Sequence, residues 1–487
     1  MNKRISIAMV FLVALAMYGY SNPGDDGKVP VTTKSEEAKR DFLLGRSQLD
    51  HNDVHEARAN FDKAIAADTG FALAYLYRST CAATITEMER FAAKAGLHAE
   101  QVSEGERLII RATEAQLTGD QGKAKELYDK LLAAYPRDER VHEYLAVFCA
   151  NQLDHAGAVE HFKAAGVLNP DYAPVYNSLG YEYRSLGKYP EAEQAFKKYV
   201  ALVPGDANPY DSYAELLMKE GKFDQSIENY NLALSKDPNF FSSKLGIAFD
   251  HLYMGKADQA AGELRAMIAS ARDESERRQA RSGLVILYID GGNTVMALQL
   301  IDSGVAESKK RNELRDEVQQ LDMKGSVLEE AGRYAEAKEM YDREMAMIAS
   351  SSLSPEIKEQ YDDGKENSAA IFALETNDLT GARSHAAAYE KLVTNKPDAW
   401  RLRSLHQLYG RIALEAKEYE KAIEELQKSN LENAYNLYRI ALAYRGKGDT
   451  AKAKEYCARA AHFYSLPDLG YSLIRLKAEK LLSMMNG

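Results

Sequence analysis

Cysteine and tryptophan are almost missing from this sequence, with three Cys and one Trp in 487 residues. Cys81, Cys149 and Cys457 are odd in number and far apart, which excludes a disulfide framework; each reads as a small core residue. Proline is scarce, 12 in all, so any regular placement of it carries information. Basic charge is outweighed: 62 Lys and Arg face 73 Asp and Glu, for a net charge of -11. Nucleic-acid binding needs clustered Lys and Arg to displace counterions from phosphate, so no nucleic-acid partner is expected. Long apolar runs are also lacking. The one candidate, Ile5 to Gly19, is about 15 residues, short of the ~20 that span a bilayer as a helix. A basic start at Met1–Arg4 and the turn residues Ser21-Asn22-Pro23-Gly24 give it the layout of a secretory signal peptide over 1–21. A short uncleaved anchor is the alternative, and it would be the chain's only membrane contact. No Cys follows the run, so lipid attachment there has no acceptor. Residues 22–34 read as a polar linker, and export to a periplasmic or extracellular space is expected.

What remains is a folded composition, 45% hydrophobic and 28% charged. A chain this long would ordinarily split into several cores, unless each unit buries surface only against its neighbours. The proline spacing points to the second case: Pro136, Pro170, Pro204 and Pro238 lie 34 residues apart. Small residues repeat in step at Ala112, Ala146, Gly180, Ala214 and Ala248, and again at Ala124, Ala158, Ala192, Ser226 and Ala260. Large residues repeat at Tyr128, Phe162, Phe196, Tyr230 and Leu264. A fixed period of this size signals a solenoid.

The unit is legible in Tyr176 to Pro204. Tyr176, Leu179, Gly180 and Tyr183 form one helical stripe. Gly187 permits the left-handed helix end, and Pro190 suits the first turn of a second helix. On that helix Ala192, Phe196 and Tyr199 face back, and Pro204 ends it. Small Gly180 and Ala192 let the two axes approach, with Phe196 filling the space beside them.

These residues resemble the tetratricopeptide-repeat (TPR) consensus: aromatic, Leu, Gly and Tyr on helix A, then Ala, Phe, Ala and Pro on helix B. The match is tightest over 105–272. The resemblance implies an all-α fold, a TPR α-solenoid in which antiparallel helix pairs wind into a right-handed superhelix. Looser copies fill 35–104, 273–350 and 351–467, with 72–102, 278–311 and 363–396 degenerate, and 468–487 reads as a capping helix. About twelve units result. Insertions around Ser350–Pro355 and Thr394–Asp398 break the phase.

No catalytic constellation is present, so an enzyme is not expected, nor are a cofactor or a metal. The pairs Gly187-Lys188, Gly221-Lys222 and Gly255-Lys256 lack the upstream Gly and following Ser/Thr of a phosphate loop and fall at the same inter-helix turn. His51 and His55 are four apart, but a turn falls between them and no third zinc ligand is evident. Most of the 30 tyrosines sit in core registers rather than forming a stacking platform. What the resemblance does imply is a concave groove lined by helix-A residues that the A–B core does not use. Transferred to the best repeats these are Glu143, Val147, Asn177, Tyr181, Arg184, Asp211, Glu215, Lys219, Leu245 and Phe249. Tyr181, Arg184 and Phe249 stand out as anchors, because a large side chain outside the A–B core needs a neighbouring repeat or a ligand to cover it. The Lys/Asn clamp that grips chaperone tails is absent: Asn177, Tyr181, Ser212, Ser242 and Gly246 stand in those places. The expected function is an exported scaffold of the cell envelope that binds a protein or peptide in this groove. The alternative is a helical-repeat receptor for carbohydrates or nutrients.

Overall fold

A computed structural model describes residues 27–486 except 83–84, 354, 356–357, 360–363 and 396–398. The expected signal segment lies outside the described residues, as do parts of both insertions. The described residues form 25 α-helices and no strand. In chain order they are α1 Glu36–Asp50, α2 Val54–Ala67, α3 Ala72–Thr80, α4 Ile85–His98, α5 Glu104–Leu117, α6 Gln121–Ala134, α7 Glu139–Asn151 and α8 His155–Leu168. Next come α9 Ala173–Ser185, α10 Tyr189–Leu202, α11 Asn208–Lys219, α12 Phe223–Lys236, α13 Phe241–Tyr253, α14 Ala257–Ala269, α15 Glu274–Asp290, α16 Thr294–Arg311, α17 Leu314–Glu330 and α18 Tyr334–Ser350. The array ends with α19 Lys365–Glu375, α20 Leu379–Asn395, α21 Ala399–Glu415, α22 Tyr419–Lys428, α23 Ala434–Lys447, α24 Thr450–Ala461 and α25 Leu469–Asn486. Each helix packs on the next, so the fold is an α-solenoid of antiparallel pairs.

Local chemistry sets where each helix stops and starts. The A-to-B turns pass through one residue at positive φ, which is glycine at 187, 221, 255, 292 and 332. Leu153 and Lys417 fill the same place without glycine's freedom, at φ 59° in each case. Asp120, Asp154 and Asp449 each accept a hydrogen bond from a backbone N–H in the first turn of the following helix. Ser103 and Glu106 form a reciprocal capping box at α5. Within pairs the small–large registers interlock: a Cβ on Gly325 would lie 2.5 Å from the Tyr341 ring, and one on Gly180 would strike the fully buried Phe196.

Long-range contacts then tie the array to itself at both ends. Lys28 to Lys34, inside the stretch read as a polar linker, lies across the first repeats. The Val29 N–H donates to Asp138 (2.8 Å), the Thr32 N–H to Glu106 (2.7 Å) and the Thr33 hydroxyl to Asp68 (2.6 Å). His51, at the first turn, pairs with Asp206 (2.5 Å) in the loop before α11. From the other end, Trp400 donates Nε1–H to the Asn151 carbonyl and Arg403 donates to the Leu153 carbonyl, both at 3.0 Å. The last repeats therefore return to the turn after α7.

Candidate functional site: the concave groove and its own C-terminal segment

Counting back from the positive-φ turn residue aligns the A helices even where the spacing changes from 34 to the 37 between Gly255 and Gly292. Ten residues before the turn stand Glu143, Asn177, Asp211, Leu245, Ser282 and Asp322. Six before it stand Val147, Tyr181, Glu215, Phe249, Ile286 and Ser326. These two registers carry all the groove residues expected from the sequence except Arg184 and Lys219. They also extend the groove to α15 and α17, where the altered spacing hid it.

The structure brings together the middle of the expected set. Arg184 donates to Glu215 (3.2 Å) and lies over the Tyr181 ring (4.7 Å). The Tyr181 hydroxyl donates to Ser212 (3.2 Å), and its ring meets Phe196 edge-on. Ser243 donates to Asp211 (2.6 Å), whose carboxyl is pushed up to about 7 by burial and by the charge of Glu215. Burial also raises Glu215, against the pull of Arg184. Glu143 is raised by burial too and accepts from the Tyr172 hydroxyl (2.6 Å). Asn177 buries its Oδ1 without a protein partner, and Val147 stands outside this cluster, exposed.

One expected anchor is corrected. Phe249 is 1% exposed, a core residue and no free anchor, and its neighbour Leu245 is 8% exposed. The reason is Gly283 on α15: lacking a side chain, it lets that helix close over them, its Cβ site 3.2 Å from Leu245 and 3.5 Å from Phe249. A neighbouring repeat, not a ligand, covers the aromatic.

Lys219 leads to the feature the sequence did not reveal. Its ammonium sits 3.2 Å from the centroid of the Phe463 ring. Burial, and next the Arg184 charge, bring it down to about 7, against the opposing pull of Glu432 and Asp468. All three partners from beyond 430 belong to the C-terminal repeats, which therefore occupy this part of the concave face. Beside Lys219, Tyr464 packs edge-on to Phe223 (4.9 Å) and against Tyr253 (5.4 Å), and the Tyr253 hydroxyl donates to the Ser465 carbonyl (2.5 Å).

One stretch of groove remains open. A cavity of about 400 Å³ is lined on α13, α15 and α17 by Leu245, Ser282, Ile286, Asp322 and Met323, and is bounded across the groove by Pro467 and Leu469. Half of its lining is polar, with Arg278, Gln279 and Gln319 beside Ser282 and Asp322, and burial raises the Asp322 carboxyl. Among the described residues no group of three or more His, Cys, Asp and Glu could hold a metal, and no helix is long and apolar enough to cross a membrane.

Paired helices stacked in this way define an α-solenoid. Tetratricopeptide-repeat models match residues 42–103, 111–173, 173–205 and 435–465, and the chain belongs to that family. It is similar to the cell division cycle protein 16 homolog of Homo sapiens, at 26% identity over 225 residues, 44% of this chain and 36% of the relative. It is also similar to the small glutamine-rich tetratricopeptide repeat-containing protein 2 of Mycosarcoma maydis, at 27% identity, 22% of this chain and 30% of that one. The chain thus spans about a third of the length of these curated relatives. Among solved structures, that of the APC/C hetero-tetramer Cut9-Hcn1 is 15% identical, covering 99% of this chain and 81% of that chain with a TM-score of 0.43.

Proposed function

We propose that this chain is an exported, non-enzymatic scaffold that holds a segment of another protein in its concave groove. The observation that carries the reading is the open cavity. The two registers that face the groove supply Leu245, Ser282, Ile286 and Asp322 to its lining, which mixes apolar side chains with polar ones. Apolar pockets with a few convergent polar groups are where ligands dock, and repeat arrays present them along an extended concave face. The expected signal segment supports the envelope as the place of action.

A photoreactive amino acid placed at Ser282 or Asp322 tests the groove, with Glu160 on the exposed side of α8 as the reference. Crosslinks to a polypeptide from Ser282 and Asp322 but not from Glu160 are expected; crosslinks from Glu160 alone would overturn the reading. Export is tested by fusing alkaline phosphatase after Lys34. Activity outside the cytoplasm is expected, and its absence would remove the envelope from the proposal.

A further inference from the structure

Two residues before each positive-φ turn, on the inner end of every A helix, lies a further register: Lys219, Tyr253, Asp290 and Glu330 on α11, α13, α15 and α17. All four touch the C-terminal segment, and they touch it in order. Lys219 meets Phe463. Tyr253 meets Tyr464, Ser465 and Tyr471. Asp290 takes Arg475, whose Nε donates at 2.6 Å. Glu330 takes Lys477. The segment thus runs along four consecutive repeats as a peptide ligand would, with an aromatic part first and a basic helical part second.

Three observations mark it as a ligand-like occupant and not merely the end of the core. From Phe463 to Ser465 it has no regular structure. Tyr464 sits at φ 27°, a conformation non-glycine residues rarely adopt, so packing must hold it. The charges are complementary: Asp290 and Glu330 offer carboxylates to the basic half. At the aromatic half the ammonium of Lys219 lies against a ring, an arrangement attractive in itself.

We infer that this inner register is the recognition edge of the groove, and that the partner segment it reads has the chemistry of residues 463–477. That means an aromatic pair followed, about a dozen residues on, by two basic residues two apart on a helix, each reaching a carboxylate of a different repeat. The chain's own segment is then a tethered competitor. Tethering gives it a high effective concentration, so a partner must either displace it or find it released. Displacement would open the groove beyond the present cavity, because Pro467 and Leu469 form the cavity's far wall. The inference rests on the scaffold reading above and adds the partner's chemistry to it.

The test uses the full chain and a fluorescent peptide with the sequence of residues 462–480, read by anisotropy. Phe463→Ala with Lys477→Ala weakens the tethered segment by removing its contacts to Lys219 and Glu330, the two ends of the register. This variant should bind the peptide at least ten-fold more tightly than the unaltered protein. Adding Lys219→Ala and Glu330→Ala should abolish the gain. A weakened variant that keeps its helical signal and binds no better than the unaltered chain overturns the inference. If the variant does not fold, the unaltered protein is incubated with the peptide carrying a photoreactive Phe at its second position. Crosslinks should fall near Lys219 and Phe223; crosslinks confined to other repeats overturn the proposal. Should this peptide fail while Ser282 and Asp322 still crosslink another polypeptide, the scaffold reading stands and only the partner chemistry falls.

Discussion

Asp250, on α13, is fully buried, and its two carboxylate oxygens have no hydrogen-bond partner. Burial carries it up to about 8; nearby Ser226 opposes the shift, yet that hydroxyl already donates to the Ala214 carbonyl (2.9 Å), and Asp224 adds to the rise. The unfolded chain ionises this group near 3.8 and the folded chain only near 8. Stability is therefore lost as pH rises between those values, at an upper limit of roughly 1.4 kcal/mol per pH unit. Asp250→Asn should then be neutral at pH 4 and stabilising at pH 8, as denaturant melts at the two pH values would show; equal effects at both would contradict the buried-acid account. Lys417 offers a second test. It is exposed and left-handed, so glycine there relieves a conformational cost of about 1–2 kcal/mol while losing some unfolded-state advantage. Lys417→Gly should stabilise by about 1 kcal/mol in the same melts. These single-residue features were not legible in sequence. Lys417 occupies a glycine register but carries no mark of its φ, and a lone Asp on an apolar stripe is indistinguishable from a surface one.

Helix pairing is where sequence and structure agree most closely, and the reason is physical. A repeated contact imposes the same size requirement every 34 residues, so Gly180 against Phe196 appears again as Ala146 against Phe162 and Ala214 against Tyr230. Gly180→Ala tests whether that fit matters. Helix propensity favours alanine by about 1 kcal/mol, whereas forcing a methyl into a packed ring costs about 1–3 kcal/mol. Phe196 is fully buried and has no room to retreat, so net destabilisation of about 1–2 kcal/mol is expected. A neutral or stabilising result would mean that the pair is looser than drawn. The groove was less legible than the core. Its registers could be transferred through α13, but the longer α15 shifts the phase by three residues, hiding Ser282 and Ile286, and Gly283 brings that helix down over Phe249.

At the scale of the whole molecule, the contacts that matter are the ones without a period. Tyr253 and Ser465 are 212 residues apart, and Arg475 and Asp290 are 185 apart; Tyr253 and Asp290 share a register, but the segment that meets them does not repeat. The same holds at the N-terminus. There a polar stretch is held by carboxylates of three different repeats, Asp68, Glu106 and Asp138. Glu106 is fully buried and also accepts from the N–H and hydroxyl of Ser103, so it is a single joint between the capping box and the incoming chain. Glu106→Ala should cost about 2–4 kcal/mol, since it leaves several buried donors unmet, and cleavage by a protease should then begin within residues 27–35. Cleavage beginning elsewhere would argue against that joint.

The central claim is that the groove exists and is held by the chain's own C-terminal segment. Hydrogen exchange of the full-length protein tests it most directly, because local opening and global unfolding give separate protection levels. Amides of Tyr464–Lys477 should open at a free energy well below that of α9 to α17. In Phe463→Ala with Lys477→Ala their exchange should quicken selectively, together with amides around Lys219 and Tyr253. If the segment exchanges only when the whole array unfolds, or with no protection at all, the account is wrong.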